Sequence, residues 1–154
     1  MSQAGTEPSW TWSAGDFTRV PYAVYTAPEI YALEQQRLFQ GPTWNFLGLD
    51  IEVHHPGDYK LTHVGEAPVI MVRTREGTIN ALLNRCAHKG AVVCYKPRGN
   101  VQEFNCVYHN WVYDFDGKLT GVAFKKGVGG KGGVGPEFNS EEHGLRRLRV
   151  EVYK

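Results

Sequence analysis

Apolar and β-branched side chains come in short runs along the middle of the chain. The runs are Trp44 to Leu49, Asp58 to Val64, Pro68 to Arg73 and Thr78 to Leu83. Turn signals separate them: His55-Pro-Gly57, Gly65-Glu-Ala-Pro68 and Arg75-Glu-Gly77. Short strands at this spacing predict an antiparallel sandwich or barrel. Farther on, Trp111 to Phe115 and Lys118 to Thr120 flank Asp116-Gly117, which predicts a hairpin with a primed turn. From Leu145 to Tyr153, Leu148, Val150 and Val152 alternate with Arg and Glu, the period of a strand. Pro97-Arg-Gly-Asn100 and Glu141-Glu-His-Gly144 read as turns.

One segment has a different period. Glu29 to Gln40 holds good helix formers and no Gly or Pro, with Ile30, Leu33 and Leu38 along a loose apolar face. Thr26-Ala-Pro-Glu29 has the form of a capping box with Pro in the first turn, and Gly41-Pro42 is a stop. We therefore expect a helix over residues 27–40. Residues 1–18 are rich in Ser, Thr and Gly; a loose end whose Trp10 and Trp12 dock on the domain is the expectation. The Gly- and Lys-rich stretch Gly121 to Gly135 reads as a flexible loop without the spacing of a phosphate-binding motif. The predicted class is mainly β, an antiparallel β-sandwich with an N-terminal helix. The predicted division is an N-terminal segment, 1–42, and a β domain, 43–154.

Composition narrows the function classes. At 154 residues the prior is one domain with a core of its own. A net charge of +1 gives no global pull towards nucleic acid or a membrane, so neither is expected as a partner. No signal peptide is expected, and no apolar run approaches the ~20 residues of a membrane span. Three cysteines argue against a disulfide scaffold and fit a reducing, cytoplasmic setting.

The chemistry concentrates between Cys86 and His109. Cys86-Ala-His88 is followed by seventeen residues and then Cys106-Val-Tyr-His109. Each pair joins a soft thiolate to an imidazole. Such ligands suit Fe–S, Zn or Cu. Structural zinc sites usually pair Cys with Cys and His with His at other spacings. Mixed pairs fit a cluster of unlike irons, one held by two thiolates and the other by two imidazoles. A zinc-stabilised binding module remains open on residue type alone. Cys94 is left over as a small buried or loop thiol, and His54, His55, His63 and His143 carry no assigned role.

Cys86-x-His88 with Cys106-x2-His109 resembles the Rieske signature. The surrounding Asn84-Arg-Cys-Ala-His-Lys-Gly90 and Cys106-Val-Tyr-His-Asn-Trp111 resemble the large (alpha) subunit of aromatic-ring-hydroxylating dioxygenases. Arg19-Val-Pro-Tyr22, Gly121-Val-Ala-Phe124 and Glu142-His-Gly-Leu145 resemble the branch acting on aromatic carboxylates such as terephthalate, salicylate or anthranilate. The resemblance implies a Rieske fold holding a [2Fe–2S] cluster on Cys86, His88, Cys106 and His109. It implies Lys89, Trp111 and Tyr113 around the cluster and His109 as the electron exit. It implies a reductase or ferredoxin as donor, and a homo-oligomer of trimer type, with or without a small beta subunit. Non-haem Fe(II) is expected only in a C-terminal catalytic domain absent from this chain, so no catalytic residue is assigned here. Respiratory Rieske proteins place Ser where this chain has Trp111 and add a second Cys pair. A potential at the low end of the range, about −150 to +300 mV, is therefore expected. Two functions follow: the electron-relay part of a terminal oxygenase, or a free-standing Rieske ferredoxin. Lys89, Lys96 and Arg98 beside the two pairs could form a basic rim for an acidic donor.

Overall fold

The structure, a computed structural model, describes residues 18–153 and forms two compact units, one running to Asn45 and the other from Phe46. Trp10 and Trp12 lie outside the described residues.

The first unit is helical. A single turn, α1 (Ala23–Thr26), leads into α2 (Pro28–Glu34), and Gln35–Phe39 continues as a π-helical turn. The expected helix is present, but the capping box is not. Thr26 is the last residue of α1, and Ala27, extended at φ −70°, is the N-cap with no side-chain cap bond. The Ala27 N–H is already satisfied by the Ala23 carbonyl at 2.8 Å, while Pro28 at N1 brings no N–H that needs a partner. The helical run ends at Gly41, where a Cβ would collide with the Arg37 carbonyl.

The second unit is two antiparallel sheets around one core. The larger uses β1 (Asp58–Val64), β2 (Ala67–Arg73), β3 (Ile79–Leu83), β4 (Arg98–Asn100) and, beyond the second sheet, β8 (Arg147–Leu148), in the order β4-β1-β2-β3-β8. The smaller is β5 (Phe104–Asn105), β6 (Val112–Tyr113) and β7 (Leu119–Gly121). Register follows the side-chain period of two. Tyr59 pairs with Val72, and Ile70 pairs with Leu82. All four join the core that also holds Phe104, Tyr113 and Leu119 of the smaller sheet. The alternate residues Val69, Met71 and Ala81 are buried too, so central β2 is apolar on both faces.

Four expectations are corrected. Trp44 to Leu49 pairs with no strand, and Phe46 is 77% exposed. The segment instead feeds a 3-10 turn, Asp50–Val53, that buries Val53 completely. Glu52 closes that turn: its carboxylate accepts from Leu49 N at 2.9 Å, Lys60 Nζ at 2.6 Å and Arg98 at 2.8 Å. Within Pro97 to Asn100, Arg98–Asn100 is an edge strand rather than a turn, because Gly99 lets the Tyr59 ring close over it. The β6–β7 turn is not primed: Gly117 N bonds Asp114 O at 3.1 Å, and only Gly117, at φ 80°, is left-handed. The Asp114 carboxylate fixes it by accepting from Asp116 N and Lys118 N. Of Leu145 to Tyr153, only Arg147–Leu148 forms a strand, paired with Leu82 and Ala81 of β3.

Candidate metal centre

Two loops carry the Cys and His pairs. The first leaves β3 and returns to β4; the second joins β5 directly to β6. Their backbones are closed in the same way despite the unequal spacing of the pairs. The Cys86 carbonyl accepts from Gly90 N at 2.8 Å, and Cys86 N donates to Ala91 O at 2.7 Å. The Cys106 carbonyl accepts from Asn110 N at 2.8 Å, and Cys106 N donates to Trp111 O at 2.8 Å. In each loop the residue four after Cys turns left-handed, Gly90 at φ 71° and Asn110 at φ 51°. Gly and Asn are the residue types that accept this conformation most readily.

Asn84 braces the first loop. Its buried side chain accepts from Val93 N at 3.0 Å and Cys94 N at 2.9 Å, and donates to Cys94 O at 2.9 Å. One amide thus joins the outgoing and returning limbs. The bonds run from one side chain to the backbone nine and ten residues on, so no sequence period announces them.

The clasps bring the four candidate ligands together. Cys86 and Cys106 are buried with their thiols beside each other, while the imidazoles of His88 and His109 meet edge to face with centroids 4.6 Å apart. His88 is half-buried and His109 exposed. Trp111, buried, lies flat on His88 at 4.6 Å with planes 10° apart. Behind Trp111 stand Phe138 at 5.8 Å and His143 at 5.7 Å, edge to face. Sequence reading left both without a role; they arrive from a distant turn. Tyr113, fully buried, places its hydroxyl 3.1 Å from Cys86 Sγ and accepts from Ala87 N at 3.2 Å. Lys89 is exposed at the loop's rim and acts on His88 through its charge.

The electrostatics suit metal ligands. Burial, then the charges of His109, Lys89 and His143, hold His88 below the usual histidine range, so its neutral form prevails. A neutral imidazole is the form that binds a metal. Burial raises the Cys106 thiol and the Cys86 sulfur adds to this, while the N–H groups of Tyr108 and His109 donate to the Cys106 sulfur and oppose the rise. Those two donors would stabilise a thiolate. Nδ1 of His88 is buried and has no hydrogen-bond partner. A buried lone pair without a partner is costly unless a bound group takes it up. A metal ion does so. The donors brought together are two thiols and two imidazoles. Two donors per iron are what a two-iron cluster takes. The donor set therefore fits a [2Fe–2S] group with mixed ligation. Cys94, also buried, sits apart; burial pushes its thiol up to about 12.

Residues 43–129 match the Rieske [2Fe–2S] domain family. The chain is 48% identical over 90% of its length to anthranilate 1,2-dioxygenase large subunit of Burkholderia cepacia, covering 33% of that protein. It is 46% identical over 92% of its length to a terephthalate 1,2-dioxygenase terminal oxygenase subunit alpha of Comamonas sp., and 44% identical over 90% to the large oxygenase component of salicylate 5-hydroxylase of Ralstonia sp.. It spans about a third of the length of each. Among solved structures, naphthalene 1,2-dioxygenase from Rhodococcus sp. superposes with a TM-score of 0.76 at 33% identity, over 87% of this chain and 29% of that one.

Proposed function

Because the chain belongs to the Rieske [2Fe–2S] domain family, we propose that Cys86 and Cys106 hold one iron of the cluster and His88 and His109 the other. The observation that carries this is the pair of identically clasped loops, closing around two adjacent thiols and a buried, partnerless His88 Nδ1. When bound, the cluster supplies one-electron redox chemistry at a potential tuned by hydrogen bonds to its sulfurs. The chain's own residues set the surroundings. Tyr113 donates a hydrogen bond towards the Cys86 sulfur once that sulfur is a thiolate, because Ala87 N already occupies the phenol oxygen as acceptor. Trp111 holds the His88 ring plane and excludes water from its face. His109, exposed, is the ligand from which an electron leaves towards an acceptor.

The wider reading is the electron-relay portion of a terminal oxygenase that hydroxylates or dihydroxylates an aromatic carboxylate. Its support is the identity to subunits named for anthranilate, terephthalate and salicylate. On this reading a reductase or ferredoxin supplies electrons. A mononuclear iron on two His and one carboxylate activates O2 in a separate catalytic domain. The subunits assemble as a homo-oligomer. Among the described residues no helix is long and apolar enough to cross a membrane.

The test is the iron and sulfide content of anaerobically purified protein with its visible spectrum. About two irons and two sulfides per chain and a brown colour are expected. A colourless protein holding one zinc would reject the reading.

A further inference from the structure

The segment after β7 is not the flexible loop its composition suggests. Val128 and Lys131 pair across Gly129-Gly130, with N–H to carbonyl distances of 3.1 and 3.2 Å. Gly127 N bonds Phe124 O at 2.7 Å, and Val134 N bonds Lys125 O at 3.2 Å. Five glycines with positive φ, from Gly127 to Gly133, make this small hairpin possible. It is a built platform, and its exposed side chains are of two kinds. Phe124 is held at φ 55°, a strained conformation for a bulky residue, yet its ring is 73% exposed; Val128 is 72% exposed. Around them stand Lys125, Lys126 and Lys131, all exposed. Between Asp116 and Glu137 the chain has four lysines and no acidic residue.

The platform leads to one side of the candidate centre. Lys125 Nζ lies 5.8 Å over the Phe138 ring, Phe138 is 5.8 Å from Trp111, and Trp111 stacks on His88. His109, the other imidazole, is exposed and packs against Tyr108 at 3.9 Å and against His88 at 4.6 Å. We propose that the Phe124–Val134 hairpin is the docking surface for an acidic one-electron donor protein with an exposed iron–sulfur or flavin group. Its lysines meet the donor's carboxylates, and Phe124 and Val128 seat in an apolar spot. The electron then enters on the His88 side through the Phe138–Trp111 stack. The donor loses one electron to the centre; no bond forms or breaks. This rests on the reading of the centre given above. An exposed aromatic amid lysines fits a protein surface with a mixed rim, and steering by the lysines speeds encounter with an acidic partner.

The test uses a plant-type [2Fe–2S] ferredoxin as the acidic donor. Its Kd is measured in the oxidised state at low salt. Its rate of electron delivery is measured in the reduced state against dithionite, which needs no docking surface. K125E/K126E/K131E is expected to weaken binding and slow delivery by on the order of ten-fold or more, with spectrum and dithionite rate unchanged. Phe124→Gly, whose backbone accepts the left-handed conformation, is expected to weaken binding several-fold without loss of thermal stability. Unchanged binding in the triple variant, or a loss confined to K89E/K96E, overturns the docking site. So does a triple variant that loses only its affinity for anionic lipid vesicles. A normal cluster spectrum with unchanged binding rejects this site alone; an absent spectrum in the unmodified chain rejects the reading beneath it.

Discussion

The Tyr113 hydroxyl stands 3.1 Å from Cys86 Sγ inside the core, although Tyr113 belongs to β6 and Cys86 to the first loop, 27 positions away. The phenol therefore links the second loop's strand to the first loop's thiolate. An added electron makes the cluster more negative, so a hydrogen bond to its sulfur favours the reduced state. Tyr113→Phe should lower the midpoint potential by roughly 40–90 mV, the one-electron equivalent of a hydrogen bond of about 1–2 kcal/mol. Voltammetry of the loaded chain measures this, and an unchanged potential would remove Tyr113 from the tuning role.

Asn84 holds three backbone groups with one side chain. Asn84→Ala strands two N–H groups and a carbonyl inside the fold. Each buried group left unpaired costs about 1–3 kcal/mol. A loss of roughly 3 kcal/mol or more in urea unfolding is expected, together with faster bleaching under chelator, because the freed limb belongs to the Cys86 loop. Loss of stability without faster bleaching would make the brace purely structural.

Glu52 makes acid stability pH-dependent. Its carboxyl is held below the usual glutamate range first by the Lys60 hydrogen bond, then by Leu49 N–H. A carboxyl lowered in the folded state stabilises above its unfolded pKa, and that stabilisation disappears as pH falls through the folded value. Relative to Glu52→Gln, the native chain should show its full advantage near about pH 6, and the advantage should close as pH falls below about 4. Urea midpoints at both pH values decide it; a gap independent of pH would contradict the ion-pair account.

Cys94 is buried with a thiol pushed up to about 12, so it is protonated at neutral pH. Iodoacetamide should leave it unmodified in the folded protein and label it on unfolding. Cys94→Ala should keep the full iron content, while Cys86→Ala or Cys106→Ala should lose it. Loss of iron in Cys94→Ala would place a third thiolate in the centre.

Local signals made β1, β2 and β3 legible, because β-branched and aromatic runs between Gly- and Pro-marked turns state a strand. The ligand pairs were legible from residue type and spacing. Elements defined by their partners were not. Trp44 to Leu49 has strand composition, but no edge receives it. β4, β5 and β8 are two or three residues long and exist because β1, β6 and β3 pair with them. Phe138 and His143 reach Trp111 from a turn about thirty residues away, a contact only the folded chain can make. The Gly-rich stretch misled because glycine content signals freedom, whereas here each left-handed glycine fixes a turn.

Pulsed EPR of the reduced protein examines the unequal ligation most directly, since nitrogen nuclei bound to the reduced cluster give hyperfine couplings of their own. Two imidazole nitrogen couplings are expected in the native chain, with one lost in any cluster retained by His88→Ala or His109→Ala. A reduced cluster without nitrogen coupling, or one that keeps both couplings in either variant, would contradict the assignment.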